Sequence, residues 1–329
     1  MDPTGPGRAI NQLVHRFVSP LTDPTVKGLG ERCTSLDAVL RSLLVALLLA
    51  GVAAVVTVAV AQERDGSPPR AVSAQEPALP AADVALPRQP EGLGRTLTAT
   101  TRRLRNALGR WDATGAVPRD VTFLALHHQR MLRTMAKRRA LGDAALRRLP
   151  AAVRGEARDT VRGQRHLAAI PRDLENLPKL RVARAAPAAD LRRFYGEGQR
   201  RFGVHWTVLA SVNFVESAFG RVRSASEAGA RGPMQFLPST WRQYGMGGDI
   251  ADPHDAILGA ANYLSRSGAR RDLDGALFAY NPSRDYVRAI RAFASRMRAG
   301  EHAFETYYSW QAFMRTASGT RRLTGPGRA

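Results

Sequence analysis

The sequence predicts a mainly α-helical protein in which a membrane helix and a spacer precede a basic helical region and a helical C-terminal domain. Three observations carry this. Ser42 to Ala61 is an uncharged apolar run. Between residues 96 and 190, apolar side chains recur at helical spacing. From about Ala188, aromatics, glycines and helix-capping residues become frequent and divide the chain into short helices.

Taken in order, residues 1–41 are expected to be a cytoplasmic tail. The run SLLVALLLAGVAAVVTVAVA over 42–61, at roughly 1.5 Å rise per residue, spans the roughly 30 Å hydrocarbon core. Arg8, Arg16, Lys27, Arg32 and Arg41 precede it, which favours an N-terminus inside and the remainder outside the cytoplasm. Ala59-Val60-Ala61 has the small-residue pattern of a signal-peptidase site, so a cleaved, secreted form is the second reading after a single-pass membrane anchor. Residues 62–95, with Pro68, Pro69, Pro77, Pro80, Pro87 and Pro90, are expected to be an extended, poorly ordered spacer.

Residues 96–187 are expected to form a separate basic helical region, dispensable for chemistry. The apolar positions Phe123, Leu124, Leu126, Met131, Leu132 and Met135 predict a helix over 121–140, and Pro150 and Pro171 bracket another over 151–170. The domain proper is expected over 188–316, with helices over 191–202 and 204–215 split at Gly203. Further helices are expected from Asp252-Pro253 to about Leu264, over 273–279 and over 284–299. Asp252 reads as an N-cap and Pro253 as the first helical residue. Residues 317–329 are expected to be a flexible tail.

The chain of 329 residues carries 49 Lys+Arg against 28 Asp+Glu, a net charge of +21. Only Lys27, Lys137 and Lys179 are lysines. Such a balance suits anionic surroundings, and the segment 96–190, with twenty basic and eight acidic residues, is the natural platform for an anionic polymer. Nucleic acid is not expected as a partner, because no stacked-aromatic platform or recognition motif accompanies the charge. Cys33 is the single cysteine, so neither an intramolecular disulfide nor a cysteine-based zinc site can form. His127 and His128 have no third ligand one turn away, and no metal or cofactor is expected. A Walker-type loop, HExxH and GxSxG are all absent from the sequence.

What remains is Glu216, a carboxylate among Phe214, Val215 and Phe219 at the end of a helix. A carboxylate in apolar surroundings is costly and often functional. The Ser-, Ala- and Gly-rich stretch 217–232 lets backbone approach a ligand, with Gly229 and Gly232 allowing tight turns. Met234, Phe236 and Trp241 offer apolar walls, Gln235 an amide, and Tyr280 and Asn281 further polar groups. This set suits a sugar polymer bearing acetamido groups. A structural acid paired with arginine is the alternative for Glu216 alone.

Four ordered motifs sharpen that reading. ESAFG at 216–220, SEAGARGPMQFLPSTW at 226–241, GAANYL at 259–264 and AYN at 279–281 together resemble the bacterial soluble lytic transglycosylase (SLT) domain of the lysozyme-like superfamily. The GPMQFLPSTW form is similar to that of actinobacterial secreted proteins. The resemblance covers about residues 188–300. It implies a lysozyme-like catalytic domain that cleaves the MurNAc-GlcNAc β-1,4 bond of peptidoglycan, with Glu216 as the sole catalytic acid/base. It also implies that Ser226, Met234 and Gln235 line the glycan groove, that Tyr263 packs behind it, and that Tyr280 hydrogen-bonds Glu216 with Asn281 alongside. This chain has Pro233 where the family often has leucine, and Pro282 where it often has glycine.

With one acid, Glu216 would protonate the leaving oxygen and then take the proton of the C6 hydroxyl that attacks C1, leaving 1,6-anhydroMurNAc ends. Phe214, Val215, Phe219 and Met234 are expected to desolvate it; of the nearby acids, Asp252 and Asp255 read as helix caps and Glu227 as solvated in the small-residue loop, which leaves Asp249 unplaced. A hydrolytic muramidase and a noncatalytic wall-binding protein are the alternatives.

Overall fold

The computed structural model describes residues 77–171, 181–317 and 319–327. The expected tail (1–41), the membrane helix (42–61) and the first part of the spacer lie outside the described residues. Among the described residues, no helix is long and apolar enough to cross a membrane.

Helix α1 (Pro90–Gly109) opens on a proline at its first position and buries Leu93, Leu97, Leu104 and Leu108 along one stripe. The spacer therefore ends earlier than its composition suggests. Leu79 and Leu86 pack against the core, and Arg103 donates to the carbonyls of Pro77 at 2.5 Å and Ala78 at 3.3 Å. A proline-rich segment with two leucines to bury and an arginine to satisfy its carbonyls is held in place without secondary structure. Helix α2 (Arg119–Lys137) carries the expected apolar stripe but stops at Arg138, whose ψ of 82° leaves the helical region. The expected single helix over 121–140 is thus two, with α3 (Arg139–Arg148) turning back over the end of α2. Helix α4 (Ala151–Ala169) follows Pro150 as expected.

Helices α5 (Ala188–Phe202) and α6 (Trp206–Ser217) flank Gly203. Then come α7 (Pro238–Tyr244), α8 (Pro253–Arg266), α9 (Leu273–Tyr280), α10 (Arg284–Ala299) and α11 (Ala303–Tyr308). Asp252 caps α8 by accepting from the amides of His254 and Asp255.

The expected boundary at residue 187 does not separate two bodies. Leu97, Leu132 and Val161 from the basic region share one hydrophobic core with Val208, Ile290 and Phe293. The seam is α4 against α10. Gly163 makes it possible, since a Cβ there would stand 2.8 Å from the Phe293 ring. Polar groups tie α4 in as well: Glu156 pairs with Arg296 of α10 and, at 2.9 Å, with Arg105 of α1, and the hydroxyls of Thr160 and Tyr307, the latter in the helix over 303–308, lie 2.8 Å apart.

The C-terminal residues are not a free tail. Strand β1 (Phe313–Thr316) pairs antiparallel with β2 (Gly319–Arg322) in the register Phe313↔Arg322 and Met314↔Arg321. Thr324 accepts from the amide of Ala312 at 2.9 Å, and Gln129 and Gln311 exchange two hydrogen bonds at 2.8 and 2.9 Å. This hairpin was outside the helical expectation because its two four-residue strands, FMRT and GTRR, are short and carry no apolar alternation.

Candidate active site

Helix α6 is apolar on nearly every face, and Val208 to Asn213 are all buried. A helix buried all round must satisfy each polar side chain it carries. Asn213 does so twice: its Oδ1 accepts from the Tyr195 hydroxyl at 2.7 Å, and its Nδ2 donates to the Pro233 carbonyl at 2.9 Å. Ser217, one turn on, donates to the same carbonyl at 2.5 Å and accepts from the Gly220 amide at 2.7 Å. Both side chains are essentially fully buried. Pro233 is therefore where the following loop is clamped to α6.

That loop is a tight hairpin closed by the bridge between Arg231 and Phe236, whose amides and carbonyls exchange bonds of 2.8 and 2.9 Å. Gly232 has φ +76°, and a Cβ there would fall 1.8 Å from the Ile250 carbonyl oxygen, so no other residue fits. Gln235 takes a left-handed φ of 51°, and its Nε2 donates to the Gly232 carbonyl at 3.0 Å. Met234 and Phe236 are buried, with Phe236 ringed by Trp241, Tyr263 and Tyr280 at centroid distances of 5.3, 6.3 and 5.7 Å. These two residues form the floor of the loop; Gln235 is half-buried and offers the polar group on top.

Glu216 lies in the last turn of α6, half-buried, between Asn213 and Ser217. Its Oε1 accepts from the hydroxyl of Tyr286 at 2.7 Å. The expectation that Tyr280 makes this bond is corrected: the Tyr280 hydroxyl donates to the Met234 carbonyl at 2.6 Å and holds the floor instead. Burial pushes both phenols well above their ordinary pKa, and the Glu216 carboxylate adds to the shift. Both remain protonated donors at any working pH. Tyr286 was missed because its surroundings, YVRAIRAF, read as an ordinary apolar helix stripe. The available signal was position, since Tyr286 falls in the first turn of α10, just after the AYN motif.

The turn after Glu216 is held in an uncommon conformation. Ala218, Phe219 and Gly220 have φ of 51°, 63° and 79° in succession. For two non-glycine residues this costs roughly 1–3 kcal/mol each. It turns the Phe219 ring into a cluster with Phe214, Phe304 and Tyr308 at 5.5, 5.6 and 5.7 Å. Phe214 likewise stacks on Tyr307 at 5.3 Å. These two rings, expected to desolvate Glu216, anchor the turn that presents it. Arg221, over the Tyr308 ring at 4.5 Å, donates to the Ala218 carbonyl at 3.0 Å and closes the turn.

The remaining expected residues are placed as follows. Ser226 accepts from the Ala230 amide at 3.0 Å and pins its own turn. Tyr263 donates to the Ala279 carbonyl at 2.8 Å and sits 4.8 Å from Tyr244, behind the floor. Asn281 ends α9 and is half-buried. Asp249 is exposed, accepts from the Ala251 amide at 2.8 Å and donates its own amide to Asp255 at 2.9 Å, which makes it part of the turn leading into α8. Glu227 is exposed. Asp252, His254 and Asp255 bring ligand-type atoms within 4.8 Å of one another, an arrangement accounted for by capping and by the 2.9 Å pair of His254 with Glu197.

Residues 194–298 match the family model described as the Transglycosylase SLT domain, so this segment carries an SLT-type, lysozyme-like domain. Over 76 residues, 23% of this chain, the sequence is 34% identical to the membrane-bound lytic murein transglycosylase F of Thiobacillus denitrificans. The match spans 16% of that protein's length. No solved structure matches the chain.

Proposed function

We propose that the chain is a peptidoglycan lytic transglycosylase that cleaves the MurNAc-GlcNAc β-1,4 bond with Glu216 as its acid/base. The observation that carries this reading is the placement of Glu216. The SLT-matched segment holds it in the last turn of α6, against the Tyr286 hydroxyl, beside a loop clamped to the same helix.

Glu216 gives its proton to the glycosidic oxygen as the C1–O bond breaks. The resulting carboxylate takes the proton of the muramyl C6 hydroxyl as that oxygen bonds to C1. The product is a 1,6-anhydro sugar, and Glu216 ends as it began. The attacking hydroxyl belongs to the same sugar, so no activated water and no second carboxylate are required. Tyr286 holds the carboxylate in one orientation through both steps, and Gln235 presents an amide suited to an acetamido group.

The name of the Thiobacillus protein includes membrane attachment. Together with the apolar run over 42–61, it supports a single-pass anchor with the enzyme outside the cytoplasm. The arginine-rich faces of α1 to α4 are suited to anionic wall polymers. Alkaline phosphatase fused after Gly66 is expected to be active, and an inactive fusion with an active cytosolic reporter at the same point overturns this topology.

Mass spectrometry of products from purified murein tests the chemistry. Anhydro ends are expected from the native chain, and none from Glu216→Gln. Reducing MurNAc ends would make the protein a hydrolytic muramidase, and glycan binding without cleavage would make it a wall-binding protein.

A further inference from the structure

The C-terminal hairpin closes one side of a cavity of about 510 Å³ that shares no lining residue with the Glu216 site. Arg130, Arg321 and Arg322 line it, and Asp83 is the one acid among its lining residues. Three guanidiniums against one carboxylate leave two positive charges unbalanced.

The carboxylate is a poor counter-ion. The Asp83 side chain is 83% exposed, and its Oδ2 lies 3.6 Å from Arg322 Nη2, so its attraction is screened by water. Arg322 is only 7% exposed. Its Nη2 donates to the Pro326 carbonyl at 2.8 Å, while its Nη1 has no hydrogen-bond partner among the described residues. A buried guanidinium with an unused donor is expensive unless something supplies an acceptor. Arg130 is already tied to the carbonyls of Ala82 and Val84 at 3.1 and 2.8 Å, which fixes where its charge sits. Burial lowers its pKa, Asp83 opposes that shift and Arg322 adds to it, as expected for like charges brought together. The wall is made rigid by Phe313, on which a further guanidinium, that of Arg133, stacks at 4.5 Å.

We propose that this cavity binds a phosphate group, held by Arg130, Arg321 and Arg322, with Asp83 offsetting only one of their three charges. Two unbalanced positive charges match a phosphate dianion, whereas a carboxylate would leave one unpaired. The guanidinium fork also fits phosphate oxygens in pairs. A phosphate can come from a soluble ester or from a lipid headgroup, and the recognition chemistry is the same.

The test uses the full-length chain. Calorimetric titration with inorganic phosphate, and with acetate at equal ionic strength, reads the free anion. Sedimentation with phosphatidic acid vesicles, against phosphatidylcholine vesicles, reads the headgroup. Phosphate is expected to bind at least about tenfold more tightly than acetate. Arg321→Gln, at an exposed position, is expected to weaken binding about tenfold, and Asp83→Asn to tighten it severalfold by removing the competing carboxylate. Neither variant is expected to change murein cleavage. If only phosphatidic acid vesicles bind, with the same responses to both variants, the phosphate comes from lipid and the site stands. Binding to neither probe overturns the proposal, as does equal affinity for acetate. Binding that ignores both Arg321→Gln and Asp83→Asn also overturns it, because a general basic surface would behave that way.

Discussion

Helix α10 meets two glutamates and treats them differently. Near its start, Tyr286 donates to Glu216 at 2.7 Å. Near its end, Arg296 pairs with Glu156, which also accepts from Arg105 at 2.9 Å. The Glu156 side chain is 12% exposed, and two guanidiniums on one carboxylate fix its negative charge in place. A protonated phenol does not fix charge. It donates to a carboxylate and can equally face a carboxylic acid, so it orients Glu216 without fixing its charge state. One end of α10 is built for cohesion, and the other carries the contact on which the proposed chemistry depends.

The largest expected effect separates these ends physically. A chain beginning at Ala188 loses α4, exposing the Phe293 face of α10 and stripping Thr160 from Tyr307. It is expected to show no cooperative thermal transition. A sharp transition with retained murein cleavage would restore the two-body organisation that the sequence suggests.

Next is a crossed pair of substitutions. Glu216→Gln is expected to lower cleavage by about 10²–10⁴-fold or more with little change in stability, the range for losing a general acid. Glu156→Ala leaves Arg105 and Arg296 facing each other and is expected to cost about 3 kcal/mol of stability. Its folded fraction should keep native turnover. Urea melts and turnover of both variants check the pair, and equal losses of activity would erase the distinction.

The cohesive end also sets a pH limit. His128 is buried near Trp310 at 6.0 Å, and burial, with the neighbouring charges of Arg296 and Arg105, drives its pKa from 6.5 down to about 3. Between these values the unfolded chain binds a proton that the folded chain refuses. Stability from this group is complete above pH 6.5 and is lost as pH falls toward 3, by about 2 kcal/mol at pH 5. Urea melts at pH 7.5 and pH 5 should show this drop, and His128→Gln should flatten it.

The smallest effect sharpens the chemical end. Tyr286→Phe removes the donor to Glu216 and is expected to lower kcat about tenfold with KM nearly unchanged. Tyr280→Phe frees the Met234 carbonyl and is expected to act mainly on KM. The reverse pattern would return the orienting role to Tyr280.

The acid was legible because its neighbours in sequence are also its neighbours in function. Glu216, Gly232 and Gln235 sit in motifs whose spacing requires a turn, and Asp252-Pro253 announces a helix start by local chemistry alone. What was not legible depends on contacts between distant residues. Tyr286 reads as core until α6 is placed against it, and Asn213 and Ser217 read as incidental polar residues until Pro233 is seen between them. The ordering of residues 77–89 depends on arginines tens of residues away, and the C-terminal hairpin depends on Gln129. Local pattern does not carry such pairings.

Because Asn213, Glu216 and Ser217 all belong to α6, the acid and the Pro233 clamp are carried by one rigid rod. Any bending of the molecule that shifts this helix shifts acid and groove floor together, so their separation is insulated from breathing motions elsewhere.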